Sequence, residues 1–206
     1  TYFWTNDQDS EILTNEDLNN IGAGTYTVIV TDENNCSITQ EFNIIEPQLL
    51  NVETSTSNYS GFGVSCFGAN DGYINLDVSG GTGSYTFDWS NGSTTQNLSN
   101  ISVGDYSVIV SDTNNCSQQF EFILTEPESI EITSNISSYN DFGVSSYGAS
   151  DGSIDISVIG GSGLYNYSWS NGETSEDIIN LSSGIYSVTV FDENNCFVNS
   201  SNFEIS

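Results

Sequence analysis

Tyr85-Thr86-Phe87-Asp88-Trp89-Ser90-Asn91-Gly92 reads as a short strand running into a tight turn. Tyr85, Phe87 and Trp89 alternate with Thr86 and Asp88, so three rings share one face and two polar side chains share the other. Asn91-Gly92 supplies the turn. The phrase returns 80 residues later as Tyr165-Asn166-Tyr167-Ser168-Trp169-Ser170-Asn171-Gly172. An aromatic strand face needs a second layer to cover it. Its recurrence at a fixed period makes the chain an array of one small module.

The register extends outward in both directions. Upstream, Ile74, Leu76 and Val78 alternate with Asn75 and Asp77, and Ile154, Ile156 and Val158 repeat the pattern. Downstream, Leu98…Ile101…Gly104…Tyr106 recurs as Ile178…Leu181…Gly184…Tyr186 and, earlier, as Leu18…Ile21…Gly24…Tyr26. This spacing matches a tyrosine corner, in which a Tyr hydroxyl bonds to nearby backbone at the crossing between sheets. Phe120, Phe122 and Leu124 mark a last strand, and a turn of the type Asp-X-Asn-Asn-Cys occurs three times, at 32–36, 112–116 and 192–196. Trp4 stands 85 residues before Trp89 rather than 80, which places a five-residue insertion around Asp7 to Asn15. The expected organisation is a partial module at 1–48, a complete one at 49–128 and a nearly complete one at 129–206, an excerpt from a longer array. Short alternating strands between Gly and Asn turns predict immunoglobulin-like antiparallel β-sandwiches.

Charge narrows the function. The chain has 28 acidic residues, no Lys, Arg or His, and a formal net charge of −28. Without a cationic side chain it cannot neutralise a phosphate backbone or bind an anionic membrane surface. No apolar run is long enough to cross a bilayer. Ser-His-Asp and Cys-His catalysis cannot be assembled, and most general bases are missing. Paired carboxylates could in principle hydrolyse glycosides. The acids here sit in turns that recur with the module, which is the pattern of architecture rather than of one active site.

Taken together, a Cys before an Asn-Asp-Gly turn (Cys66, Asn70-Asp71-Gly72), the loop Gly80-Gly81-Thr82-Gly83-Ser84-Tyr85, the Trp89-Ser90-Asn91-Gly92 strand end, the strand from Gly104 and a Cys hairpin closing in Glu126-Pro127 resemble the SprB repeat. The resemblance covers nearly all of the second and third modules and the back of the first. Asn-Asn-Cys stands where that family often has Asn-Gly-Cys, and Ser146 replaces the first Cys in the third module. The resemblance implies an extracellular module of giant gliding and surface adhesins of the Bacteroidota, displayed at the outer surface after type IX secretion. It implies no particular binding residues.

Three sets of residues are candidates for specific roles. Counting one crossing strand between Trp89 and Tyr106 puts Cys66 and Cys116 at the same end of the sandwich, where a disulfide closing about 50 residues would contribute roughly 3–4.7 kcal/mol. On that rule Cys196 has no partner and neither has Cys36; the alternative is four free thiols. The carboxylates of Asp71, Asp151, Asp32, Asp112 and Asp192 suit calcium, and equally suit turns closed by their own backbone. No cofactor is otherwise required. Tyr59, Phe62, Phe142 and Tyr147 lie in Gly/Ser-rich stretches and offer either a contact surface or a loop packed on the neighbouring module. The expected function is a non-enzymatic spacer and display stalk in adhesion or gliding. The alternative is an array that recognises polysaccharide or another cell-surface protein through avidity.

Overall fold

The computed structural model describes residues 1–8 and 13–206, so part of the expected insertion near Asp7 lies outside the described residues. Every named element is a strand: β1 (Tyr2–Asn6), β2 (Gly24–Thr31), β3 (Ser37–Ile44), β4 (Asn51–Thr56), β5 (Gly72–Ser79), β6 (Thr86–Trp89), β7 (Leu98–Ile101), β8 (Gly104–Ser111) and β9 (Ser117–Leu124). The third module adds β10 (Glu128–Ile136), β11 (Gly152–Gly161), β12 (Asn166–Trp169), β13 (Ile178–Leu181), β14 (Gly184–Tyr186), β15 (Val188–Phe191), β16 (Phe197–Asn199) and β17 (Phe203–Ile205). The chain divides into two compact units, Thr1–Asn51 with Ser79–Gly83, and Val52–Val78 with Ser84–Ser206.

The second module is a sandwich of two three-stranded sheets, β4-β5-β7 and β6-β8-β9. Ile74 and Leu76 from one sheet meet Trp89, Val108, Val110 and Leu124 from the other in a single core, in which Trp89 is 2% exposed. The third module repeats it with β10-β11-β13 against β12-β15-β16 and β14-β17, around Trp169. The two cores are separate clusters. Each Trp donates its indole N–H to a backbone carbonyl in the turn that follows, Trp89 to Thr95 at 2.8 Å and Trp169 to Ser175 at 2.9 Å. Each also packs a ring of the last strand, Phe122 at 6.0 Å and Phe203 at 5.8 Å between centroids.

The tyrosine corners form as the spacing predicts. The hydroxyls of Tyr26, Tyr106 and Tyr186 each donate, at 3.0 Å, to the carbonyl four residues upstream, on Gly22, Ser102 and Ser182. One irregularity separates the modules. Thr189 pairs with Asn199 and Tyr186 with Phe203, so two residues of one strand oppose three of the other. This β-bulge absorbs one extra residue and keeps Phe203 and Ile205 pointing inward.

In the first unit β1-β2-β3 form one sheet, the counterpart of β6-β8-β9. Trp4 is only half-buried there, and Phe42, which its ring touches at 5.9 Å, is 48% exposed.

Candidate functional site: the joint between modules

The hairpin Asp192–Cys196 is built by one carboxylate. Asp192 Oδ1 accepts the amides of Asn194 (3.0 Å) and Cys196 (2.9 Å), and its Oδ2 accepts the amide of Ser162 at 2.9 Å. The Asp192 amide donates to the Cys196 carbonyl at 2.9 Å. Asn195 turns the chain with φ 63°, the left-handed region that Asn tolerates through its short polar side chain. That explains how Asn can hold a turn position whose positive φ favours glycine. The hairpins at Asp32–Cys36 and Asp112–Cys116 use the same bonds, at 2.8 and 2.9 Å, with Asn35 at φ 64° and Asn115 at 63°. These three carboxylates are therefore occupied as turn-closing acceptors. Among the described residues no three His, Cys, Asp or Glu side chains gather as a metal site.

The loop that receives this hairpin runs from Tyr59 to Asp71. Its first turn closes Tyr59 on Phe62 by two backbone bonds, 2.8 and 3.0 Å, with Ser60 and Gly61 both at positive φ. Asp71 Oδ1 accepts the Ser65 amide at 3.0 Å, and the Tyr59 hydroxyl donates to the Asp71 carbonyl at 3.1 Å. Burial pushes the Asp71 carboxyl up, but the bonds from Ser65 outweigh it and leave the group below its ordinary value. Burial, followed by the Asp71 charge, raises the Tyr59 phenol. The loop rests on the end of its own sandwich. The amides of Gly63 and Val64 both donate to the Thr125 carbonyl, and a Cβ on Gly63 would lie 2.8 Å from Leu124 Cβ.

The third module's hairpin sits on this loop. Asn194 Nδ2 donates to the carbonyls of Ser65 (3.2 Å) and Tyr59 (3.4 Å), and the Ser60 hydroxyl donates to Asn194 Oδ1 at 3.0 Å. Cys66 is bonded to Cys196, with their Cα atoms 5.6 Å apart. The connection between modules is only Thr125-Glu126-Pro127. Glu126 Oε2 accepts the Gly68 amide at 2.6 Å, and Pro127 is fully buried. A crevice of about 410 Å³ lies beside the bridge, lined by Phe67, Pro127, Asp192 and Phe197 among others.

The expected Cys66–Cys116 bridge is thus corrected: Cys66 pairs with Cys196, and Cys116 and Cys36 are free, exposed thiols. The strand count failed at residues 90–97. The segment from Ser90 to Asn97 turns without forming a strand, and β7 runs antiparallel to β5 as β6 does to β8. Gly72 pairs with Ile101 and Gly104 with Leu124, which puts the start of β8 at the Cys66 end. β8 then carries the chain about 25 Å to the far end before Cys116. A disulfide tolerates only about 7 Å between Cα atoms. In the next module that same hairpin end faces back toward Cys66.

The four aromatic candidates divide by module. Tyr59 and Phe62 are half-buried, whereas Phe142 is 62% exposed and Tyr147 fully so. At Asp151 the hydrogen bonds from Ser145 hold the carboxyl below its ordinary value. The inter-module pairing left no mark in the sequence within one module. The signal that could have found it is the unequal number of Cys at the two positions, which an intramodule rule leaves unpaired.

Two segments, residues 64–94 and 145–174, match the family model described as SprB repeat, one in each of the second and third modules, which supports their likeness to SprB-type repeats. No curated protein sequence matches the chain. Among solved structures, extracellular domains 3–5 of Drosophila OTK align over 88% of this chain and 70% of that one, at 11% identity and a TM-score of 0.35. The complex of Dpr2 Ig1-Ig2 with DIP-Theta Ig1-Ig3 aligns over 98% of this chain and 88% of that one, at 9% identity and a TM-score of 0.30.

Proposed function

We propose that the chain is a non-enzymatic spacer segment of a large extracellular adhesin or filament, holding a distal binding region away from a bacterial surface. The observation that carries this reading is the joint. A three-residue connector with a buried Pro127, a seated hairpin and the Cys66–Cys196 bridge fix one module against the next, as a load-bearing rod requires. SprB repeats belong to cell-surface proteins, and no helix among the described residues is long and apolar enough to cross a membrane. A net charge of −28 keeps neighbouring rods from collapsing on one another. Export by the type IX route and a part in gliding belong to the same reading, as does attachment at the outer membrane.

The second reading is a recognition array for polysaccharide or another surface protein, favoured by the exposure of Phe142 and Tyr147. Phe62→Ala and Phe142→Ala discriminate the two in a glycan-array and cell-adhesion assay. A spacer keeps its adhesion with both substitutions, and loss of a specific glycan signal would replace the spacer reading with recognition. Calcium is tested separately by thermal unfolding with calcium and with chelator; equal midpoints remove it.

A further inference from the structure

The third module carries a second copy of the receiving loop, from Tyr139 to Asp151, with its bonds preserved. Tyr139 closes on Phe142 at 2.6 and 3.1 Å, and Ser145 donates its amide to Asp151 Oδ1 at 3.0 Å. The Ser137 hydroxyl bonds the Gly143 carbonyl at 2.6 Å, as Ser57 bonds Gly63 at 2.5 Å. Gly143 donates its amide to Ser206, where Gly63 donates to Thr125. The carbonyls that Asn194 uses on the second module, on Tyr59 and Ser65, have counterparts on Tyr139 and Ser145. Here the surface is open. A hollow of about 690 Å³ is lined by Phe142, Val144, Ser145, Ser146 and Tyr147 among others.

We propose that this loop is a socket for the Asp-X-Asn-Asn-Cys hairpin of a further module of the same kind, seated as Asp192–Cys196 is on Tyr59–Asp71. The occupant is fixed by the joint already formed in this chain. Socket backbone and hairpin backbone are both conserved within the molecule, so what fits one copy fits the next. One substitution changes the outcome: Ser146 stands at the place of Cys66. A joint on the third module is therefore held by the carbonyls of Tyr139 and Ser145, with Asn140 in place of Ser60 and no covalent bond, and it is reversible where the preceding joint is locked. In an array of such modules the residue at this position decides whether a joint is locked or releasable.

The inference rests on the repeat reading and is tested in trans with the whole chain. Ser146→Cys chains are incubated with oxidised glutathione. The two protein thiols give up two electrons and two protons, and glutathione disulfide is reduced to two thiols. The expected product joins residue 146 of one copy to Cys36 or Cys116 of another. It forms on the order of tenfold faster than linkage through an exposed control, Thr174→Cys, because docking raises the local thiol concentration. Adding Asn34→Ala and Asn114→Ala to Ser146→Cys abolishes the advantage, because both hairpins then lack the amide that Asn194 supplies. Peptide mapping reads the bonds, and Trp fluorescence checks that each variant is folded. Predominant 146–146 pairs, a rate equal to the control, or an advantage that survives the Asn substitutions would overturn the socket. Any of these would leave the spacer reading standing, since that depends on the joint within the chain.

Discussion

The loops Tyr59–Asp71 and Tyr139–Asp151 have the same backbone bonds and different company. The first is covered by the neighbouring hairpin and crosslinked through Cys66; the second has Ser146 and lies open, with Phe142 and Tyr147 in solvent. The difference teaches that the loop's shape does not depend on its partner. Asp71 and Asp151 each hold their own loop by accepting an amide six residues upstream, and the sandwich end beneath supports it. The joint is added to two finished modules.

The sharpest way to break that statement is to damage one core and watch the other. Trp89→Ala removes the largest core side chain of the second module and is expected to cost about 3–5 kcal/mol there. Calorimetry should show that transition falling while the Trp169 module keeps its own, because the two clusters are separate. A joint drop of both transitions would mean a shared core.

Next in size is the bridge. When either module unfolds alone, the crosslink closes about 60–70 residues, from Cys66 to Pro127 or from Pro127 to Cys196. Cys196→Ser should therefore destabilise both modules by up to about 4 kcal/mol in the chain-entropy picture. Thermal melts of the variant against the parent measure it. An unchanged midpoint would show that the bridge contributes nothing beyond position.

Asn195 gives a smaller and more local test. It sits at φ 63°, so Asn195→Val should cost about 1–2 kcal/mol while Asn195→Gly stays near neutral. Hydrogen exchange at the Asn194 and Cys196 amides reports the loss. Equal behaviour of the two variants would remove the conformational argument.

The strand faces, the buried Trp and the tyrosine corner were legible because each is a short-range pattern. Alternation places Ile74, Leu76 and Trp89 inward whatever the topology, and the Tyr106 hydroxyl reaches only four residues back. The disulfide was not legible for the opposite reason. Its partners are 130 residues apart, and its direction turns on whether residues 90–97 cross the sandwich or fold back. Glycine and small polar residues there serve either course. The acidic turns could be read as metal ligands or as caps; bond geometry shows the cap role, with the amides of Asn194 and Cys196 on one Asp192 oxygen, and calcium is left to the unfolding experiment.

The smallest effect separates the two loops by pH. Asp71 and Asp151 sit below their ordinary value of 3.8 in the folded chain. Their contribution is therefore complete above that pH and is lost as pH falls through their folded values. Hydrogen exchange at the Ser65 and Ser145 amides should rise in acid, and first at Ser145, whose loop has no crosslink. Earlier opening at Ser65 would contradict the support assigned to the bridge.

The claim on which the rest stands is that successive modules are clasped end to end. Non-reducing digestion and mass mapping of the intact oxidised chain test it directly. The expected result is one disulfide-linked peptide pair containing Cys66 and Cys196, with Cys36 and Cys116 recovered as thiols. A Cys66–Cys116 pair with Cys196 free would place the bond inside one module and contradict it.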